Sequence, residues 1–292
     1  MLCCYTLGAL LSYQCQVVGH EGTHGLVFQS AALNKIHAVL SFLPVFLGPF
    51  GMWWMVEHMW HHTVVVDKCL RYGRQDAPPL RKAIFTLLFI NVVNILLWLI
   101  STILFVCCLA TIPLYALGLR THAFPQSFLL PPYAKFPQTI SPLFIVNWLA
   151  VHAFNGAIYY FYGPMPILFC FLSGGFMNGL HPLGMRQVQE HYFAVKDQPT
   201  YSVYTAAHNF ALNINYHVEH HDFPTIPWSR LPQLRRIAPE FYNNLHCYRS
   251  YTGVLFWFIF NRSIPIGLIF EGVEGASFES DFSAVFSGAV KK

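Results

Sequence analysis

The sequence predicts an all-α integral membrane protein, with transmembrane helices and a cytosolic helical cap that carries a histidine-rich metal site. Hydrophobic residues occupy 55% of the 292 positions and charged residues only 10%, a composition far more apolar than that of a soluble globular domain. Several apolar stretches approach the roughly 20 residues that a helix needs to cross a bilayer. Clusters of histidines lie at or beyond the ends of these stretches.

The apolar stretches predict one membrane domain that occupies the whole chain. Gly163 and Pro164 interrupt the longest of them, and such a pair predicts a tight turn between two helices. Prolines and glycines also interrupt residues 36–56, which favours an interfacial or re-entrant segment over a clean span. The predicted parts are a transmembrane helix at 1–19, an interfacial or re-entrant segment at 36–56, an apolar segment at 84–118, a helical hairpin at 143–180 and a cytosolic cap at 181–292.

The charged residues indicate orientation rather than a nucleic-acid partner. The net charge is only +4, and the basic residues collect around 68–82, 186–196 and 230–236. Under the positive-inside rule, these segments are cytosolic. The eight cysteines predict no disulfide framework, because most lie in apolar runs and none forms a CxxC pair.

The spacing of the histidines predicts a metal site. Eight of the 15 histidines fall in three five-residue boxes, where random scatter would place about one. Positions i, i+3 and i+4 share one face of a helix, so each box directs its imidazoles to one point. Zinc usually stops at four ligands, so eight imidazoles predict two metal ions, whose identity imidazole alone leaves open. The candidates are His20 and His24 in HEGTH, His58, His61 and His62 in HMWHH, and His217, His220 and His221 in HVEHH.

Acidic residues accompany the boxes and are candidates to accept a hydrogen bond from the second ring nitrogen of a metal-bound histidine. A solvated position on the cytosolic surface is the alternative for each of them. These residues are Glu21, Glu57, Glu219 and Asp222. A metal transporter is the alternative function from a different class, but the boxes lie at or beyond the ends of the apolar segments rather than within them.

The order HxxxH, HxxHH, HxxHH resembles the membrane fatty acid desaturase and hydroxylase superfamily. The segments NYHVEHHDFPTIPW at 215–228 and LPQLRRIAPEFYNNL at 231–245 are similar to the sphingolipid delta-4 desaturases within it. The resemblance extends from about residue 8 to about residue 255. This sequence departs from the family pattern in the first box, where Gly22 follows Glu21. The family has a further N-terminal helix, so we expect this sequence to lack part of its N terminus.

The resemblance implies a function as well as a fold. It implies two iron ions that use molecular oxygen to form the C4–C5 double bond of dihydroceramide, with electrons from NADH through cytochrome b5 reductase and cytochrome b5. It further implies a multi-pass protein of the endoplasmic reticulum membrane whose active site faces the cytosol. Sphingolipid C4-hydroxylation, acyl-lipid desaturation and an inactive lipid-binding homologue are the alternatives.

A ninth ligand is also implied by the resemblance, because related di-iron membrane oxygenases have an isolated histidine between the second and third boxes. His191, in the sequence Glu190-His191-Tyr192, is the candidate. Gln187 is one helical turn earlier and could hold an iron-bound water, and Glu190 is a further candidate to orient a ligand. His181 is the competing histidine, although Pro182 after it predicts a structural turn.

Overall fold

The computed structural model describes residues 1–45, 58, 62, 69–71, 78–84, 95–96, 99, 102–103, 142–191, 198, 200–261 and 269–271. These residues form a mostly helical fold, as the sequence predicts. Two short strand pairs, which the sequence analysis did not predict, join segments that are far apart in the chain. Strand β1 (Cys69–Arg71) pairs antiparallel with β4 (Ile269–Glu271), and β2 (Ser202–Val203) pairs parallel with β3 (Cys247–Tyr248).

The N-terminal segment forms two helices that pack against each other. A π-helical turn, Cys4–Gly8, continues into α1 (Ala9–Thr23), and α2 (Ala31–Phe42) lies against α1. The Ser30 side chain caps α2 by accepting a hydrogen bond from a backbone N–H of its first turn. The buried Asn34 amide accepts from two backbone N–H groups of the connecting loop, at 3.0 and 3.1 Å. Helix α2 therefore covers the first part of the predicted 36–56 segment.

The predicted hairpin region contains two packed helices, α3 (Pro142–Tyr162) and α4 (Pro164–Met177). The break is at Gly163, whose φ of 75° lies in the left-handed region that favours glycine. In the described part of the chain, no helix combines the length and apolarity needed to cross a membrane. The membrane crossings therefore stay a prediction, and most of the apolar segment 84–118 lies outside the described residues.

The remainder of the described chain is a series of short helices and turns that frame the third histidine box. Arg186–His191 forms α5 and His217–Asp222, which contains the third box, forms α6. Helices α7 (Leu231–Ile237), α8 (Pro239–Tyr242) and α9 (Tyr251–Phe260) follow. Single turns of 3-10 helix lie at Leu183–Met185, Ala206–Asn209 and Trp228–Arg230.

One buried apolar cluster holds these parts together. It joins side chains of α1 and α2 to side chains of α9 and of the segment before α6. The end of α1 lies beside the third box, since the ring centroids of His20 and His220 are 4.7 Å apart. The close packing of the side chains in the cluster stabilises the contacts between the elements. Its members include Tyr13 and Val17 of α1, Val39 and Phe42 of α2, Tyr201, Val203 and Ile214 of the intervening segment, and Val254 and Phe258 of α9.

Candidate metal centre

Five histidines from all three boxes meet at one point inside the protein. Each offers one ring nitrogen, and these nitrogens all lie within 4.8 Å of one another. His20 and His24 come from the end of α1, and His220 from α6. The other two are His58 and His62, one helical turn apart. Residues separated by as many as 200 positions in the sequence thus form one donor set.

The ring nitrogens of this set approach each other closely. The Nε2 atom of His58 lies 3.0 Å from that of His24 and 2.9 Å from that of His62. The Nε2 atom of His220 lies 3.0 Å from that of His62. Imidazole nitrogens that converge in this way occupy the geometry expected of ligands to a common cation.

Burial keeps two of these histidines, His20 and His24, in the neutral form that binds metal. The His20 ring is fully buried, and burial, followed by the neighbouring imidazoles, lowers its pKa well below 6.5. Burial also lowers the pKa of His24 to about 4. Neutral imidazoles need no deprotonation before a metal binds at neutral pH.

Two further box histidines lie beside the five. The ring centroid of His221 is 4.3 Å from that of His62 and 4.4 Å from that of His217. The ring of His217 is buried. The side chains of His61 and His191, the remaining predicted ligands, lie outside the description. Seven of the nine predicted ligands therefore lie in or beside one cluster.

His181, the competing candidate, has a different position. Its Nδ1 accepts a hydrogen bond from the backbone N–H of Leu183 at 3.2 Å, and its ring packs edge-on against Tyr5 at 5.0 Å between centroids. It is not among the five convergent histidines. These contacts are those of a residue that stabilises the turn after α4.

Two of the predicted orienting side chains, Glu190 and Glu21, lie near box histidines. Glu190 approaches a box histidine, since its Oε1 lies 3.4 Å from Nδ1 of His217. Glu21 lies at the edge of the cluster: its Oε1 is 3.9 Å from Nδ1 of His20, while its Oε2 accepts from the Trp228 N–H at 3.3 Å. Burial raises the pKa of Glu21 to about 7. The side chains of Glu57 and Gln187 lie outside the description.

Glu219 and Asp222 have other partners. The fully buried Glu219 carboxylate accepts hydrogen bonds from Ser202 Oγ at 2.8 Å and from the Tyr204 hydroxyl at 2.7 Å. Ser202 Oγ also accepts from the backbone N–H of Val218 at 3.0 Å. Asp222, whose pKa burial raises, shares a hydrogen bond with Tyr242. Glu219 therefore anchors α6 to β2, and among the described residues its carboxylate hydrogen-bonds to Ser202 and Tyr204 rather than to a histidine.

Sequence reasoning missed several of these anchoring residues. Arg186 pairs with Glu190 one helical turn away, and that spacing could have revealed it. Ser202 and Tyr204 carry no such signal, because they precede Glu219 by 17 and 15 positions across an irregular segment. The guanidinium of Arg235 covers the Tyr204 ring at 3.4 Å, a contact that links α7 to the same anchor.

The donor set fits a transition-metal centre. All five convergent donors are imidazoles, and burial lowers the pKa of His20 and His24. Imidazole binds iron, copper, nickel and zinc, and the presence of further histidines at the cluster's edge suits more than one ion.

Comparisons with known proteins agree with this chemistry. A family model described as fatty acid desaturase matches residues 1–252. The chain is 30% identical over 262 residues to a Drosophila melanogaster protein named sphingolipid delta(4)-desaturase DES1, covering 89% of this chain and 73% of that protein. It is also 30% identical to the human sphingolipid delta(4)-desaturase/C4-monooxygenase DES2, covering 89% and 72%, and 28% identical to a DES1-like protein of Oryza sativa subsp. japonica, covering 89% and 70%. No solved structure matches. With most of its length matched and its histidines gathered at one centre, the chain belongs to the fatty acid desaturase family.

Proposed function

We propose that this protein is an oxygen-dependent sphingolipid desaturase that converts dihydroceramide to ceramide at two iron ions. The convergence of five histidines from three distant boxes carries the proposal, because that donor set serves a metal rather than the packing of the core. The substrate class follows from relatives that are named sphingolipid delta(4)-desaturases. Family membership favours an enzyme over a metal transporter.

The described histidines have separate roles in the proposed centre. His20, His24, His58, His62 and His220 would hold metal directly, and His217 and His221 would complete the centre at its edge. Iron bound there would supply the oxygen chemistry that removes hydrogen from an unactivated methylene group. The burial of His20, His217 and His220 keeps bulk water from the reacting groups.

The proposed reaction balances with one external reductant. The C4–C5 bond of the long-chain base loses two hydrogens, and NADH with a proton supplies two more reducing equivalents. Together they reduce O₂ to two molecules of water. We propose that the electrons arrive through cytochrome b5 reductase and cytochrome b5, and that the centre faces the cytosol on a multi-pass protein of the endoplasmic reticulum membrane. The basic clusters of the sequence support this orientation.

C4-hydroxylation of the same substrate is the second candidate, since the human relative is named delta(4)-desaturase/C4-monooxygenase. Both reactions begin by removing hydrogen from the same part of the chain. They differ in whether a second hydrogen leaves or a hydroxyl group is added.

One experiment separates the candidates. The full chain is expressed in a yeast strain without sphingoid-base desaturase or C4-hydroxylase activity, fed dihydroceramide deuterated at C4 and C5, and its lipids are measured by mass spectrometry. Desaturation removes one deuterium from each carbon, whereas hydroxylation removes deuterium from C4 alone. A change confined to fatty acyl chains would contradict both and indicate an acyl-lipid desaturase.

The matched control is His220→Ala, which removes a convergent ring nitrogen and should abolish the product without preventing membrane insertion. Metal analysis of the purified wild type should find close to two irons per chain. One tightly bound zinc and no iron would contradict the proposal.

A further inference from the structure

A buried ion pair lies in α5 beside the histidine cluster. Arg186 and Glu190 are one helical turn apart, and the Arg186 Nε donates to Glu190 Oε1. Only 8% of Arg186 and 5% of Glu190 are exposed. Such a pair is costly to bury and adds little net stability compared with apolar residues of similar size. Net stability is therefore a weak explanation for its presence in this short helix.

The same carboxylate oxygen that accepts from Arg186 faces the third histidine box. Glu190 Oε1 lies 3.4 Å from Nδ1 of His217, a few tenths of an ångström beyond the usual N–H···O range. A carboxylate at this atom favours a proton on Nδ1, which leaves the lone pair of His217 on Nε2. Ligating histidines are commonly oriented by such an acceptor, which also raises their basicity.

The surroundings of Arg186 favour its charged form. Burial alone would lower the pKa of Arg186, but the Glu190 carboxylate and the phenols of Tyr13 and Tyr251 raise it above its ordinary value. These phenols come from α1 and α9, so elements on either side of α5 contribute to the environment of the guanidinium. The guanidinium is thus a permanent partner that holds Glu190 in place.

We propose that Arg186 is a positioning residue for the metal centre: it orients Glu190, and Glu190 fixes His217 so that Nε2 is presented to metal. The proposal rests on the proposed metal-dependent function. The ion pair would act at the edge of the centre, where His217 and His221 lie, rather than on the five convergent histidines. The pair should therefore affect one metal equivalent more than the other.

The test measures metal binding on the full chain, purified in detergent and freed of metal with a chelator. Fe²⁺ is titrated without oxygen, and Co²⁺ is used as a spectroscopic probe because its visible absorption reports the ligands. Glu190→Gln and Arg186→Gln should each weaken one metal equivalent by about 10- to 100-fold and change its Co²⁺ spectrum. The other equivalent should bind as in the wild type.

Two comparisons distinguish positioning from a structural role. If Arg186 acts through Glu190, the double variant should bind metal no more weakly than Glu190→Gln alone. Gln189→Leu is the matched control, since Gln189 is equally buried in α5 but donates to the backbone carbonyl of Tyr201. This control should lower the thermal midpoint and leave metal affinity unchanged. Arg186→Lys, which keeps the charge, should recover part of the affinity and serves if Arg186→Gln does not fold.

Each contrary result has a distinct meaning. Wild-type metal affinity and an unchanged Co²⁺ spectrum in Glu190→Gln would overturn this inference while leaving the proposed function intact. Additive losses in the double variant, or an equal loss of affinity in Gln189→Leu, would likewise show that the pair does not position His217. A wild-type chain that binds neither Fe²⁺ nor Co²⁺ would defeat the proposed function itself.

Discussion

His181 and His220 are both histidines near the end of a helical segment, but they serve different purposes. His220 presents Nε2 to a cluster of other imidazoles, while His181 accepts a hydrogen bond from the Leu183 backbone N–H. Burial lowers the pKa of His181 to about 4. The two residues differ in the groups that contact them, and residue type alone assigns neither role.

The position of His181 predicts a pH-dependent contribution to stability. A histidine with a folded-state pKa of about 4 and an unfolded value of 6.5 resists protonation in the folded protein. Its contribution is fully present above about pH 6.5 and is lost as the pH falls through about 4. Because the ring is only partly buried, we expect a loss on the order of 1–2 kcal/mol.

The measurement compares wild type with His181→Asn, whose amide oxygen can still accept from the Leu183 N–H but does not titrate. The free energy of unfolding of each metal-free protein is measured at about pH 7 and about pH 4.5. Without metal, the titration of the cluster histidines contributes equally to the wild type and the variant. The wild type should lose more free energy of unfolding than the variant. Equal losses would contradict the assignment of His181 as a neutral, partly buried acceptor.

The close approach of α1 and α2 places the first histidine box. A Cβ atom on Gly22 would lie 2.9 Å from His37 Nδ1 and 3.0 Å from the backbone oxygen of Asn34. The backbone oxygen belongs to a helix and cannot move aside cheaply. Gly22, a departure from the family pattern in the sequence, thus permits the contact between α1 and α2 and with it the position of His20 and His24.

Gly22→Ala is therefore expected to destabilise the protein, although alanine favours a helix by up to about 1 kcal/mol over glycine. Overpacking at a tight contact costs about 1–3 kcal/mol, so the steric effect should win. The control is Gly156→Ala in α3, where a Cβ would meet nothing within 4 Å, and which should be neutral or stabilising. Thermal unfolding of both variants checks the prediction, and a stabilised Gly22→Ala would contradict it.

Distant parts of the chain meet at the end of α9. The Lys82 side chain is fully buried, and its Nζ donates to the backbone carbonyls of Phe258 at 2.9 Å and Asn261 at 2.6 Å. The ammonium also lies 5.2 Å from the centroid of the Phe258 ring. A cation at this point satisfies carbonyls that the helix end leaves without intrahelical donors and complements the helix dipole.

Lys82→Met should lower the free energy of unfolding by about 1–3 kcal/mol, because it leaves these carbonyls without their donor while filling a similar volume. Arg81→Met is the control, since Arg81 is the exposed neighbour and its removal should have little effect. Chemical denaturation in detergent measures both. Equal effects of the two substitutions would contradict a specific role for Lys82 at the end of α9.

The proposed orientation of the whole molecule makes a separate prediction. Asn261 begins the acceptor sequence Asn-Arg-Ser at the end of α9, and a cytosolic position would keep it from the glycosylation machinery. We expect no glycan there when the chain is expressed in a eukaryotic cell. A mass shift that is sensitive to glycosidase and absent from Asn261→Gln would invert the proposed topology.

The sequence by itself determined the residue types of the metal centre and the helical break at Gly163. These features are local: ligands at i, i+3 and i+4 share a helical face whatever surrounds them, and a glycine at positive φ followed by proline interrupts a helix on its own. The sequence also indicated that His181 belongs to a turn, through the proline that follows it.

Only the tertiary structure decided which acidic residue meets which partner. Glu219 lies between two box histidines in the sequence but bonds to Ser202 and Tyr204. The acid that approaches His217 is Glu190, which precedes it by 27 positions. The same holds for Gly22, whose need to be glycine comes from a neighbouring helix. Such contacts depend on the distance between packed segments, and no local periodicity records that distance.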